Sequence, residues 1–300
     1  MVRRPSLSKV SSAEYLAKLD SACRWLSVES GRAARYGQII REFLEKEGRS
    51  REHILAYGES REIVDLFQLW EQRITDFPGL ENKMRAVFSK GPLLREDEKP
   101  AASSNRARND AFGYFVAGTL LKAGIPVVAV EGILARQATC DSEADITFRS
   151  SGRFIDVECK RPRKREALVR RAKEARKQIE RPSRGGRHGV IALDCSVVVR
   201  PPGTLFESES LEAAEPEISR MLETCVKPRV IPCLTNSIPG FLFFARVPAM
   251  TRLRIVTPMG KPIFRSDCIS TWLCIRNSKY KDPDVFRCVA NRLDGVFHPF

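Results

Sequence analysis

Apolar residues recur at helical spacing across the first ninety positions, and no alternating stretch interrupts them. Tyr15, Leu16, Leu19, Cys23 and Leu26 form one stripe behind Ser12, a residue suited to cap a helix ahead of Glu14. Tyr36, Ile39, Ile40, Phe43 and Leu44 form a second, stopped by Gly48. Ile63, Val64, Phe67 and Trp70 form a third that ends near 76–79, and a short helix over 80–89 follows. The pattern predicts a small helical bundle over 1–95. Residues 96–105 are polar and carry Pro and Ser, as a linker does.

Beyond the linker the period changes. A helix over 108–123 carries Phe112, Phe115, Val116, Leu120 and Leu121 and closes at Gly124. Residues 127–130 form a short strand, 144–148 alternate, 150–152 make a hairpin turn and 154–159 return. A long basic helix over 164–180 and a buried strand over 189–199 follow. The order is helix, three strands, helix, strand, which predicts an α/β unit with a mixed sheet flanked by helices. In the last hundred residues, 209–226 and 282–293 read as helices and 240–246 and 269–276 as strands. Asp282 caps the final helix and Pro283 sits at its first position.

Composition narrows the class. Three hundred residues suffice for one large domain or two ordinary ones, and 43% hydrophobic with 29% charged residues describes a globular chain. No apolar run approaches the roughly 20 residues of a membrane helix. The basic start of the chain is followed by no long apolar segment, so a secretory signal and a membrane partner are not expected. Nine cysteines without a CxxC pair, and three histidines (His53, His188, His298), argue against a zinc finger or a disulfide scaffold. The expectation is reduced thiols in a cytoplasmic protein.

Charge adds a partner. The chain carries +14, and between Arg161 and Arg187 twelve basic residues stand against three acids, Glu166, Glu174 and Glu180. A concentration of that kind suits a polyanion, nucleic acid first among them. A merely solvated basic helix face is the plainer alternative.

The predicted hairpin gathers three ionisable groups. Alternation puts Asp156, Glu158 and Lys160 on one face of the return strand and leaves Asp145 opposite the core residues Ala144, Ile146 and Phe148. Asp145 then lies beside Glu158 and Lys160. Two close carboxylates repel unless a cation separates them, and such oxygen-rich sites suit magnesium. A lysine nearby orients water or neutralises charge developing on a phosphate. Two other acid-x-Lys triplets, Glu81-Asn82-Lys83 and Asp97-Glu98-Lys99, lack this strand context.

Asp145, twelve intervening residues and then Glu158-Cys159-Lys160 on an apolar strand resemble the signature of the PD-(D/E)xK, or restriction-endonuclease-like, nuclease superfamily. The helix and strand order over 108–199 is similar to that fold's core and covers about a third of the chain. The resemblance implies magnesium-dependent phosphodiester hydrolysis, with Mn2+ as an alternative ion. Asp145, Glu158 and the carbonyl of Cys159 are then metal ligands, and Lys160 is catalytic. The family's common proline before the Asp is Ala144 here. Where its first helix often carries a glutamate, this chain has Gly113, and Asp110 or Glu131 are candidate replacements.

Arg161, Lys164, Arg170, Arg171, Lys173, Lys177, Gln178, Arg184 and Arg187 are the residues expected to face nucleic acid. Trp25, Trp70 and Trp272 are expected in cores, and Asp194 as a hydrogen-bonded core carboxylate. The resulting expectation is a magnesium-dependent nuclease acting on DNA over 106–300. The helical block over 1–95 is expected to select substrate, dimerise or bind a partner protein. The rival is a catalytically silent nucleic-acid-binding or scaffold protein of the same fold, which Gly113 favours. A third reading, a magnesium enzyme acting on a small phosphorylated substrate, leaves the basic segment unexplained.

Overall fold

The computed structural model describes residues 12–45, 50–98, 105–138, 140, 142–182, 187–201, 203–256 and 262–294. Four helices lead: α1 (Ser12–Trp25), α2 (Arg32–Glu45), α3 (Arg51–Trp70) and α4 (Leu80–Ser89). Then come α5 (Arg106–Lys122), β1 (Val127–Val130), β2 (Ile133–Leu134), β3 (Ile146–Ser150), β4 (Arg153–Lys160), α6 (Leu168–Ile179) and β5 (His188–Asp194). The remainder is α7 (Ser196–Val199), β6 (Phe206–Ser208), α8 (Leu211–Met221), α9 (Lys227–Val230), β7 (Gly240–Val256), β8 (Pro262–Arg276) and α10 (Pro283–Asp294). His298, Gly48 and Arg184 fall outside the described residues.

The strands make one mixed sheet in the order β2-β1-β3-β4-β5-β7-β6, with β8 paired to β7. β3 and β4 are antiparallel, with Ile146 opposite Val157 and Ser150 opposite Arg153, so the turn expected over 150–152 is made by Ser151 and Gly152 alone. Both turn residues have positive φ, the requirement of a tight type I′ connection. β4, β5 and β7 run parallel. The protein is thus a mixed α/β fold with helices on its sheet and a helical region before it.

The two sheet faces bury different helices. Ile146, Phe148, Ile155, Val157, Val190 and Ala192 join a core with α5 and the leading helices. Ile191, Leu193, Phe241 and Phe243 join a second core with α6 and α8. The first core runs unbroken from Tyr15 to Leu293, so the leading helices spend their apolar faces on the sheet. The boundary expected near residues 96–105 is one of sequence character and not of packing: Asn105 is 1% exposed, and Glu98 is buried among arginines. Among the described residues no helix is long and apolar enough to cross a membrane.

Trp70 anchors the helical block. It is fully buried, and its Nε1 donates to the Tyr114 carbonyl at 2.9 Å. α3 and α5 approach this closely because Gly118 has no side chain; a Cβ there would lie 2.8 Å from Trp70 Nε1 and 2.9 Å from Leu69 Cβ. Gly118→Ala is therefore expected to lower stability by about 1–3 kcal/mol despite the better helix propensity of alanine. Denaturant unfolding checks this.

One strand ends earlier than the apolar run suggests. Residues 196–199 are helical because Asp194 Oδ1 accepts both the Ser196 amide, at 3.0 Å, and the Ser196 hydroxyl, which turns the chain out of β5.

Candidate functional site

At the Lys160 end of β4, a cleft of about 650 Å3 opens between α5, the β1–β2 turn and α6. Among the described residues its lining contains no aromatic and no large aliphatic side chain. Asp110, Glu131 and Asp145 gather on one side beside Lys160, and the cations of α6, with Glu174 among them, line the other.

Asp145, just before β3, lies across from Glu158 because Ile146 pairs with Val157. Its Oδ2 accepts the Cys159 amide at 2.7 Å and contacts Lys160 Nζ at 3.4 Å. Lys160 Nζ also reaches Glu158 Oε2 at 2.9 Å and the Cys159 carbonyl at 3.1 Å. The acid–acid–lysine cluster read from the hairpin is therefore assembled, with the ammonium group between the two carboxylates. Burial works to lower the Lys160 pKa, but Asp145 and Glu158 outweigh it and hold the group above the usual lysine value. Lys160 is thus a cation, suited to neutralise negative charge and not to accept a proton. Burial, with Asp145 next in weight, pushes the Cys159 thiol well up, so its sulfur is not a thiolate.

Glu158 is placed differently from expectation. Its side chain is 1% exposed, pairs with Lys160 Nζ and does not line the cleft. Asp110 and Glu131 do line the cleft, together with Asp145.

Glu131 is held by an unusual turn. β1 and β2 are joined by Glu131 and Gly132 alone, with φ of 50° and 73°. Glycine tolerates that conformation; a glutamate there is strained by about 1–2 kcal/mol. Its amide donates to the Asp145 carbonyl at 2.8 Å, and its own carbonyl accepts Lys83 Nζ at 2.8 Å. These bonds lock the turn against the start of β3. The side chain reaches back over α5, where Oε1 lies 3.6 Å from the point a Cβ on Gly113 would occupy. The empty helix position and the strained turn glutamate therefore share one space. Burial first, then the carboxylates of Asp145 and Asp110, push the Glu131 pKa up to about 7. Asp110 is also raised, chiefly by burial.

α6 forms the basic wall. Its buried stripe is Leu168, Ala172, Ala175 and Ile179, and the small alanines let it lie close to β4 and β5. That seating turns Arg171, Lys177, Gln178 and Arg181 toward the cleft. Arg171 is tied to Glu174 at 2.7 Å, and Gln178 Oε1 is buried with no hydrogen-bond partner among the described residues. Lys164, Arg170 and Lys173 are exposed on α6 or just before it but do not line the cleft.

Two of the residues expected to face nucleic acid are placed differently from the rest. Arg161 does line the cleft, but its side chain is 6% exposed and held inward by Glu98 and Asp194 at 3.0 and 3.1 Å. Arg187 lies at the opposite end of β4, where Ile155 pairs with His188; its partners are Asp156 at 3.8 Å and the Phe154 ring. Arg106, Asn109, Arg163 and Arg181 line the cleft without having been singled out. Arg163 and Arg181 lie within the basic run, so their charge was visible; which face of the chain each occupies was not. Asp194 is the core carboxylate expected: 3% exposed, with Arg95 and Arg161 holding its pKa far below the usual range against the effect of burial.

Comparison with family models, with curated proteins and with solved structures found no match to this chain.

The donor chemistry suits a magnesium or manganese ion. Asp145, Glu131 and Asp110 present hard carboxylate oxygens; burial first, and then repulsion from Asp145 and Asp110, raises the Glu131 pKa, and that repulsion is what a divalent cation relieves. Among the described residues no group of three or more His, Cys, Asp or Glu side chains is placed to hold a metal ion. Magnesium does not need one: it keeps several waters and binds through one or two carboxylates plus a phosphate.

Proposed function

We propose that the protein is a metal-dependent nuclease of restriction-endonuclease-like type that hydrolyses phosphodiester bonds in DNA. The observation that carries this reading is a single cleft in which Asp145, Glu131 and Lys160 face the cations of α6. The order α5, β1, β3, β4, α6, β5 supports the fold assignment, since it is similar to the core the sequence resembles.

In this reading Asp145 and Glu131 hold the cation, and the Cys159 carbonyl and Asp110 stand beside them. A divalent ion, when bound, supplies charge that polarises the phosphate and lowers the pKa of water. Lys160 contributes a fixed positive charge at the phosphate, where negative charge grows during the reaction. Arg171, Lys177 and Arg181 hold the backbone through its phosphates, which gives affinity without base choice. Asn109 and Gln178 add uncharged polar contacts at the mouth.

The test is cleavage of supercoiled plasmid and of single-stranded DNA by the full chain. Cutting in Mg2+ or Mn2+ that EDTA abolishes is the expected result. The burial of Glu158, with Gly113 in place of a helix carboxylate and no group of three side chains placed to hold a metal among the described residues, favours the silent alternative. A DNA mobility shift with no cutting in either metal would establish that alternative.

A further inference from the structure

The turn that carries Glu131 has little of its own to hold it. β2 is a two-residue strand at the edge of the sheet, paired with β1 through Leu134 to Ala129 and Ile133 to Val130. A hairpin that small is marginal alone, and the glutamate with positive φ at its turn adds strain. The Glu131 amide is fixed to β3 through the Asp145 carbonyl, which secures one side only.

The helical block secures the other. Lys83 Nζ, on α4, donates to the Glu131 carbonyl at 2.8 Å. Just past β2, the Arg136 amide donates to the Asp76 carbonyl at 2.9 Å, and Arg136 Nε donates to the Thr75 carbonyl at 2.8 Å. Thr75 and Asp76 lie between α3 and α4. α4 is itself seated by Leu80, Met84, Val87 and Phe88, which belong to the core shared with α5 and the sheet. Lys83 therefore grips, from a well-anchored helix, the backbone of the residue whose carboxylate lines the cleft. Neither Lys83 nor Arg136 lines the cleft itself.

We infer that Lys83 and Arg136 are positioning residues: they strap the β1–β2 turn to the helical block and so hold the Glu131 carboxylate in the cleft with Asp145 and Asp110. The inference rests on the reading of that cleft as a divalent-metal site. It gives the helical block a part in the site although the block lends the cleft no side chain among the described residues.

Charge alone predicts the opposite sign for Lys83. Its ammonium group opposes the rise of the Glu131 and Asp110 pKa, so it is near enough to repel a divalent cation. Removing it tightens metal binding if it acts only as a charge, and weakens binding if it holds the turn.

The test is Mn2+ titration calorimetry on the full chain, at a temperature where every variant is folded. Lys83→Met is expected to bind Mn2+ about fivefold more weakly than wild type and Arg136→Met about threefold, below the usual cost of losing a support behind a metal ligand because both bonds are exposed. Lys83→Arg keeps a donor and a charge and should stay within about twofold of wild type. A readout free of metal goes with it: in EDTA, amide hydrogen exchange over 127–136 should rise in Lys83→Met and return in Lys83→Arg, with exchange in α6 unmoved. A merely structural contact would lower the melting temperature and leave Mn2+ affinity as it was. Tighter or unchanged Mn2+ binding in Lys83→Met or Arg136→Met overturns the inference, as does a loss that Lys83→Arg does not restore, or exchange over 127–136 that Lys83→Met leaves alone. Wild-type protein that binds no Mn2+ overturns the metal reading and the inference with it; wild-type binding that Lys83→Met does not weaken overturns the inference alone.

Discussion

Lys160→Ala is expected to cut DNA about a hundredfold to a thousandfold more slowly than wild type while still binding duplex in EDTA. The rate loss follows from removing a fixed positive charge at the reacting phosphate, on a side chain that is largely withdrawn from solvent. Stability falls as well, because Nζ is the cation that the buried carboxylate of Glu158 touches at 2.9 Å. Removing one partner of a buried pair costs about 3 kcal/mol. The two effects are separated by Glu158→Gln/Lys160→Ala, which removes the charge left behind. The double variant should recover most of the melting temperature and none of the cutting. A folded Lys160→Ala protein that cuts at the wild-type rate would remove Lys160 from the site.

The parts of this site that could be read from the chain are those set by short-range rules. Alternation in 144–148 and 154–159, with Ser151 and Gly152 between, determines the register that puts Asp145 across from Glu158. The buried stripe of α6 follows a 3.6-residue period, and the basic residues fall on the rest of its surface. What lay beyond reach depends on contacts between distant segments. Arg161 and Arg163 belong to one basic run, yet the first is turned inward by Asp194, on a neighbouring strand, and by Glu98, sixty-three residues away. Arg187 looks like part of the same patch, but the parallel pairing of β4 and β5 puts the start of β5 at the far end from Lys160. The helical block is plain as helices; that their apolar faces meet α5, through a close approach at Gly118, and share one core with the sheet is a property of the assembled fold. Glu98 itself stood in a triplet set aside as lacking strand context, and only packing makes its carboxylate matter.

Glu131→Asn should make the protein more stable and the site inactive. Asparagine accepts the positive φ of this turn far better than glutamate, so the backbone strain is relieved. The buried charge is removed too. With its pKa pushed up to about 7, folded Glu131 keeps a proton that the unfolded chain releases near 4.5. Folding then loses free energy as pH rises from about 4.5 to 7, and the whole deficit stands above pH 7. Discounted for the partial exposure of the side chain, that deficit is on the order of 1–2 kcal/mol. In EDTA the stability gain of Glu131→Asn should therefore grow across this interval and level off above it. Calorimetric melting at a series of pH values reads the curve directly. Cutting should fall about a hundredfold and Mn2+ affinity with it, since a carboxylate facing Asp145 is gone. Because Glu131 Oε1 lies 3.6 Å from the Cβ position of Gly113, the double variant Gly113→Glu/Glu131→Asn returns a carboxylate to the same space from α5. It should regain Mn2+ binding by titration calorimetry and part of the cutting while keeping the relaxed turn. If Glu131→Asn alone binds Mn2+ and cuts as wild type does, the strained glutamate has no part in the site, and the acidic wall reduces to Asp145 and Asp110.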